Sequence, residues 1–110
     1  MTGDWKSARA AEYVALNLLR QSGYAAEKLT GRTRKFDIIA WKDNRTVCLV
    51  VRSSKRYTIS SFPEQLATLS DILQSGGFPA EIQFWIYRRP GWKMYKIQPR
   101  GALPVTWSEA

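Results

Sequence analysis

The run Val47-Cys48-Leu49-Val50-Val51 constrains this chain more than any other segment. Side chains of a strand alternate between faces, so an unbroken apolar run puts hydrocarbon on both, as in a central strand covered on each side. Arg52 ends the run. The segment before it, Lys35 to Trp41, reads as a second strand that is apolar on both faces apart from Asp37, which shares a face with Ile39 and Trp41. Asp43-Asn44 makes a turn between the two, and Tyr24 to Leu29 supplies a short edge strand, completing a three-strand meander.

The covers come from two amphipathic segments. From Asp4 to about Ser22, Trp5, Ala8, Ala11, Ala15, Leu18 and Leu19 form one stripe at ~100° per residue. Asp4 suits the N-cap, and Gly23 follows the last turn as a C′ residue should. A second helix is predicted from Ser61-Phe62-Pro63-Glu64, which has the form of a capping box with Pro in the first turn, to Gly76-Gly77. Its stripe is Phe62, Leu66, Leu69 and Leu73. Ile82 to Tyr87 and Trp92 to Ile97, joined by Arg88-Arg89-Pro90-Gly91, read as a final hairpin. The predicted order is αβββαββ, an α/β protein with a central mixed sheet flanked by helices. At 110 residues the chain is read as a single domain, with a core at about 4–99 and an irregular tail at 100–110.

Composition narrows the chemistry. With no histidine, Ser-His and Cys-His nucleophiles and the usual Cys/His zinc sites are excluded. Acid-base work would fall to carboxylates, Lys, Tyr or metal-bound water. The single cysteine, Cys48, rules out an intrachain disulfide framework and fits a reducing compartment. With no cleavable leader and no apolar run near ~18 residues, the expectation is a soluble, cytoplasmic protein with no membrane partner.

The net charge of +8 is unevenly placed. Residues 28–56 carry nine basic and two acidic residues, residues 57–87 no basic and three acidic ones, and residues 88–100 five basic and none acidic. Two basic blocks separated by an acidic stretch are the footprint of a polyanion partner, nucleic acid before membrane. Lys28, Arg32, Arg34, Lys35, Lys55, Arg56, Arg88, Arg89 and Lys93 are the residues predicted to track phosphates. Nothing among them reads base sequence. Trp85, Trp92, Tyr87 and Tyr95 are read as core or dimer-interface aromatics before base-stacking platforms, and Trp41 and Tyr57 stay open between the two.

Two carboxylates stand out. Glu12 lies inside the apolar stripe of the first helix, with Trp5, Ala8, Ala15, Leu16 and Leu19 as its helical neighbours, and Asp37 starts a central strand. A buried acid is costly without a partner. Adjacent to each other, the two would form an oxygen-rich site for Mg²⁺ or Mn²⁺. Apart, each would pair with a basic residue such as Arg52 or Lys35. Both arrangements fit the sequence.

The residues that carry a family likeness are Ala11-Glu12, Leu19 with Gly23-Tyr24, the basic loop before Phe36-Asp37-Ile38-Ile39-Ala40, the strand into Val50-Val51-Arg52, Gly76-Gly77, and Gly91-Trp92. In order and spacing, from about Lys6 to Pro99, they resemble the archaeal-type Holliday junction resolvases of the PD-(D/E)XK nuclease superfamily. That resemblance implies a restriction-endonuclease-like αβββαββ core, a homodimer, and Mg²⁺-dependent cutting of branched DNA in recombination and repair. It matches Glu12 and Asp37 to the helix and strand carboxylates of the metal site.

The third element departs from that pattern. Where the family has Glu-x-Lys, this chain has Val50-Val51-Arg52. Valine offers no oxygen to a cation whose affinity grows with ligand charge and number. Arginine keeps a charge for phosphate but stays protonated, so it cannot shuttle a proton as a desolvated lysine can. The expectation is a nuclease fold, dimeric, that binds branched or duplex DNA without cutting it, with no cofactor, acting alone or beside an active nuclease or recombination protein. Two alternatives remain: an Mg²⁺- or Mn²⁺-dependent endonuclease whose third acid has migrated to Glu64, with Lys55 or Arg52 as its cation, and a basic protein-interaction domain. Against the first, Glu64 has a competing role at the helix N-terminus.

Overall fold

The structure is a computed structural model that describes residues 3–55, 58–88 and 91–107, with side chains from residue 9 onward. Helix α1 (Gly3–Gln21) buries Ala11, Ala15, Leu16 and Leu19 against the sheet. It stops at a Schellman motif: Tyr24 N donates to Leu19 O and Gly23 N to Arg20 O, both at 3.0 Å, with Gly23 at φ +90°. Because α1 already includes Gly3, Asp4 lies within the helix rather than at its N-cap, and the side chains of Asp4, Trp5 and Ala8 lie outside the described residues.

Five strands follow the first in an unbroken spatial order. β1 (Ala25–Lys28), β2 (Ile38–Lys42), β3 (Arg45–Ser53), β4 (Glu81–Arg88), β5 (Gly91–Gln98) and β6 (Gly101–Val105) form one six-stranded sheet in chain order. Every neighbouring pair is antiparallel except β3 and β4, which run parallel. A parallel pair needs a crossover, and helix α2 (Pro63–Gln74) provides it. The sheet is therefore mixed, with Asp43 at φ 54° turning β2 tightly into β3.

The apolar run of β3 divides as its period demands. Val47, Leu49 and Val51 join Ile38, Ala40, Trp85 and Met94 under α1, while Val50 joins Leu69, Ile82, Phe84, Ile86 and Ile97 under α2. Trp85 is fully buried and meets Trp92 and Trp107 edge-on, each at 5.3 Å between ring centroids, so it is a core aromatic.

Three further expectations change. The tail after Pro99 is not irregular: Gly101–Val105 forms β6 and extends the predicted order to αβββαβββ. Pro104 is tolerated because β6 is an edge strand, and α2 holds the preceding turn through Ser70 Oγ, which donates to Pro99 O at 2.8 Å. The capping box also fails. Ser61 belongs to a 3₁₀ turn (Ile59–Ser61), and Phe62 occupies the N-cap of α2 with no side-chain bond. A residue before proline is pushed out of the helical region, so the helix can begin only at Pro63. Finally, β2 starts at Ile38, which places Asp37 just ahead of the strand rather than within it.

Candidate functional site

Asp37 is buried, 5% exposed, and both of its carboxylate oxygens are engaged. Its Oδ2 accepts from the backbone N–H of Val51 at 2.9 Å and from Arg52 Nη1 at 3.0 Å. Oδ1 accepts from Arg34 Nε at 3.2 Å. The register explains the first two bonds: Ile38 pairs with Leu49, and Asp37, one residue outside that pair, donates its own N–H to Leu49 O and so lies beside Val50 and Arg52. Both arginines are anchored a second time, Arg34 Nη1 on Gly31 O and Arg52 Nη1 on Val51 O, each at 2.8 Å.

Glu12 has a different partner. Lys28 of β1 reaches it at 3.1 Å, with the same ammonium 5.3 Å from the centre of the Tyr13 ring. The two acids thus hold separate cations, as in the ion-paired arrangement the sequence also allowed, and Glu12 pairs with Lys28 rather than Arg52 or Lys35.

A divalent ion asks for several anionic oxygens free to face it. Asp37 gives its oxygens to two guanidiniums and an amide, Glu12 is paired, and Val50 presents hydrocarbon to Leu69, Ile82, Phe84 and Ile86. Glu64 is exposed in the first turn of α2, and no group of three or more acidic or cysteine residues is poised to hold a metal among the described residues. The residues as arranged do not fit the ion that the family likeness implies. Cys48, buried on β3 with its thiol pushed up by desolvation, adds no ligand.

The parallel pairing of β3 and β4 brings part of each basic block to one end of the sheet, while Lys42, Arg45, Lys96 and Arg100 lie toward the other. Ser53 pairs with Tyr87, and Ser54 N donates to Tyr87 O, so Lys55 and Arg88 leave the same end of the sheet, both exposed. Arg52 pairs with Ile86, which pairs in turn with Lys93, setting Arg52 and exposed Lys93 on one face roughly 10 Å apart. Arg32 and Lys35 are exposed in the loop that carries Arg34. Arg56 and Arg89, like Tyr57, lie outside the described residues.

The opposite end of the sheet holds a network that the sequence reading did not find. Arg45 grips Glu81 with both prongs at 3.1 Å and donates to Tyr24 Oη at 2.9 Å. Gln83 Nε2 donates to Glu81 Oε2 at 2.7 Å, and Trp85 Nε1 to Gln83 Oε1 at 2.8 Å. The Glu81 hydrogen bond raises the Arg45 pKa above its ordinary value. Burial pushes the Glu81 carboxyl up, but the hydrogen bonds of Arg45 and Gln83 with the charges of Arg45 and Lys96 outweigh it and hold that carboxyl below the usual range. Arg45, Glu81, Gln83 and Lys96, with Leu103, Val105, Thr106 and Trp107, line an open cleft of about 420 Å³. In the structure Arg45 and Glu81 each open a strand, just ahead of the segments read from the sequence as beginning at Val47 and Ile82.

Comparison with known proteins shows the fold. No protein-family model matches the sequence, and no curated protein matches it significantly. Among solved structures, the chain is similar to Hjc of Archaeoglobus fulgidus, a Holliday junction resolvase from an archaeal hyperthermophile. The identity is 22%, the match covers 78% of this chain and 72% of that one, and the TM-score is 0.54.

Proposed function

We propose that this chain binds duplex or branched DNA on a PD-(D/E)XK-type fold and does not cut it. The observation that carries the reading is the state of Asp37, whose carboxylate is spent on Arg34, Arg52 and the Val51 amide beside an apolar Val50. A metal-activated water needs that carboxylate and at least one more oxygen, and both are withheld. What the site offers instead is positive charge. Arg32, Arg34, Lys35, Arg52, Lys55, Arg88 and Lys93 sit in the segments that meet at one end of the sheet and would track phosphates by charge and shape, with no base readout. The likeness to a resolvase favours branched DNA and a dimer, in which the chain would act beside an active nuclease or recombination protein.

The deciding experiment is a gel shift with a four-way junction, linear duplex, single strand and RNA, each repeated with Mg²⁺ and with Mn²⁺ and read for cleavage. Binding of junction or duplex with no product is the expected result. Metal-dependent nicking would instead favour an endonuclease using Glu64, and no affinity for any nucleic acid would leave a protein-interaction domain.

A further inference from the structure

A buried acid beneath a phosphate-binding surface opposes that surface by simple charge counting. Asp37 lies there nonetheless, and its bonds are specific in direction. Oδ1 takes Arg34 Nε and Oδ2 takes Arg52 Nη1, so one carboxylate orients two guanidiniums that come from different segments, the loop before β2 and the end of β3. The second anchors on Gly31 O and Val51 O fix each plane. An arginine carries five N–H donors. Each of these two spends two, and the remaining three have no partner among the described residues. Both side chains stay about one-third exposed, 37% for Arg34 and 36% for Arg52, so the unspent donors have access to solvent.

An arginine that meets a phosphate from a free rotamer ensemble must give up that freedom on binding. A guanidinium already held flat and aimed gives up less, and its planar fork matches two phosphate oxygens. We propose that Asp37 is the positioning residue of a two-arginine phosphate clamp, in which Arg34 and Arg52 together take the backbone phosphates of the bound DNA. The clamp rests on the DNA-binding reading above and goes beyond it. The acid that resembles a metal ligand has become the support of the cations that face the polyanion.

The test has a sign that charge alone predicts wrongly. Asp37→Asn takes the net charge from +8 to +9, and by electrostatics alone it should tighten DNA binding. An amide has one acceptor oxygen and turns an N–H₂ toward the other arginine, so one guanidinium is released. In fluorescence anisotropy with a short labelled duplex, the expected result is binding at least about threefold weaker, with the slope of log K against log salt reduced by about 0.9, one phosphate contact. In an Arg34→Ala/Arg52→Ala background the same substitution should leave affinity unchanged or raise it, because nothing remains to position. An Asp37→Asn protein that binds as tightly as the parent, or more tightly, overturns the clamp while leaving DNA binding intact. A parent protein that binds neither duplex nor junction removes the DNA-binding reading, and the clamp with it. Should Asp37→Asn fail to fold, the parent's arginine Nε–H resonances decide. A protected Arg34 Nε–H that persists on adding duplex supports the clamp, and its loss on binding overturns it.

Discussion

The clustering of cations at one end of the sheet can be separated from mere net charge by two charge-matched variants. Lys55→Ala/Arg88→Ala strips the end where β3 and β4 finish together, and Lys96→Ala/Arg100→Ala strips the end that carries Glu81 and the β5–β6 turn. Each takes the net charge from +8 to +6, so any effect of overall charge is the same in both. Counterion release contributes about 0.9 to the salt slope per neutralised phosphate. If Lys55 and Arg88 each meet one phosphate, the first variant loses about 1.8 from the slope, and a fourfold rise in salt, from about 50 to 200 mM, then narrows its deficit against the parent by about 12-fold. The second variant should keep the parental slope to within about half a contact. Anisotropy titrations of labelled duplex at four or more salt concentrations measure both. Equal slope changes in the two variants would refute a localised face and return the charge to a generic role in solubility.

Three further outcomes follow from particular contacts. Glu81→Gln should cost about 1 kcal/mol at neutral pH in urea unfolding followed by tryptophan fluorescence, a modest figure because Arg45 is 43% exposed and solvent screens the pair. Since folding depresses the Glu81 carboxyl, its contribution is present above the unfolded pKa of about 4.3 and is lost as pH falls through the lower folded value, so parent and variant should converge in acid. A gap that stays constant with pH would assign the loss to packing. Trp107→Ala removes ring contacts with Tyr24 and Trp85 and the Nε1 bond to Ser22 Oγ, and should cost about 2 kcal/mol, seen as a melting point lower by roughly 10 °C. An unchanged melting point would mean that these contacts of Trp107 add no net stability. Val50→Glu with Arg52→Lys places an acid beside Asp37 and withdraws the guanidinium from Oδ2, so calorimetry should detect Mn²⁺ uptake that the parent lacks. A folded double variant with no uptake would contradict the placement of Asp37 next to position 50.

The carboxylate choice shows where sequence reasoning stops. Glu12 in an apolar stripe and Asp37 at a strand start were visible as costly acids, and the need for partners followed from burial alone. Which partners they took was not visible. Lys28 reaches Glu12 because β1 lies under α1, and Arg52 reaches Asp37 because the β2–β3 register sets residue 37 beside residue 50. The Arg45–Glu81 fork is a similar case, joining residues far apart in the chain through the parallel β3–β4 pair, which no local pattern announces. β6 was missed for a local reason. Gly101 and Pro104 in a five-residue strand look like breakers, and only an edge position with α2 bracing the turn makes them acceptable.

The sequence by itself determined the two-faced central strand, the apolar stripes of the helices and the glycines that follow them, the two blocks of positive charge, and the valine that stands where a third acid would be needed. These are periodicities and residue identities, and backbone geometry reads them directly. Only the tertiary structure decided that the two acids hold separate cations, that part of each basic block reaches one end of the sheet, and that Asp37 accepts from two arginines. Those outcomes depend on which side chains come within a few ångströms across strands, and short-range pairing of charges answers to three-dimensional distance rather than to position along the chain.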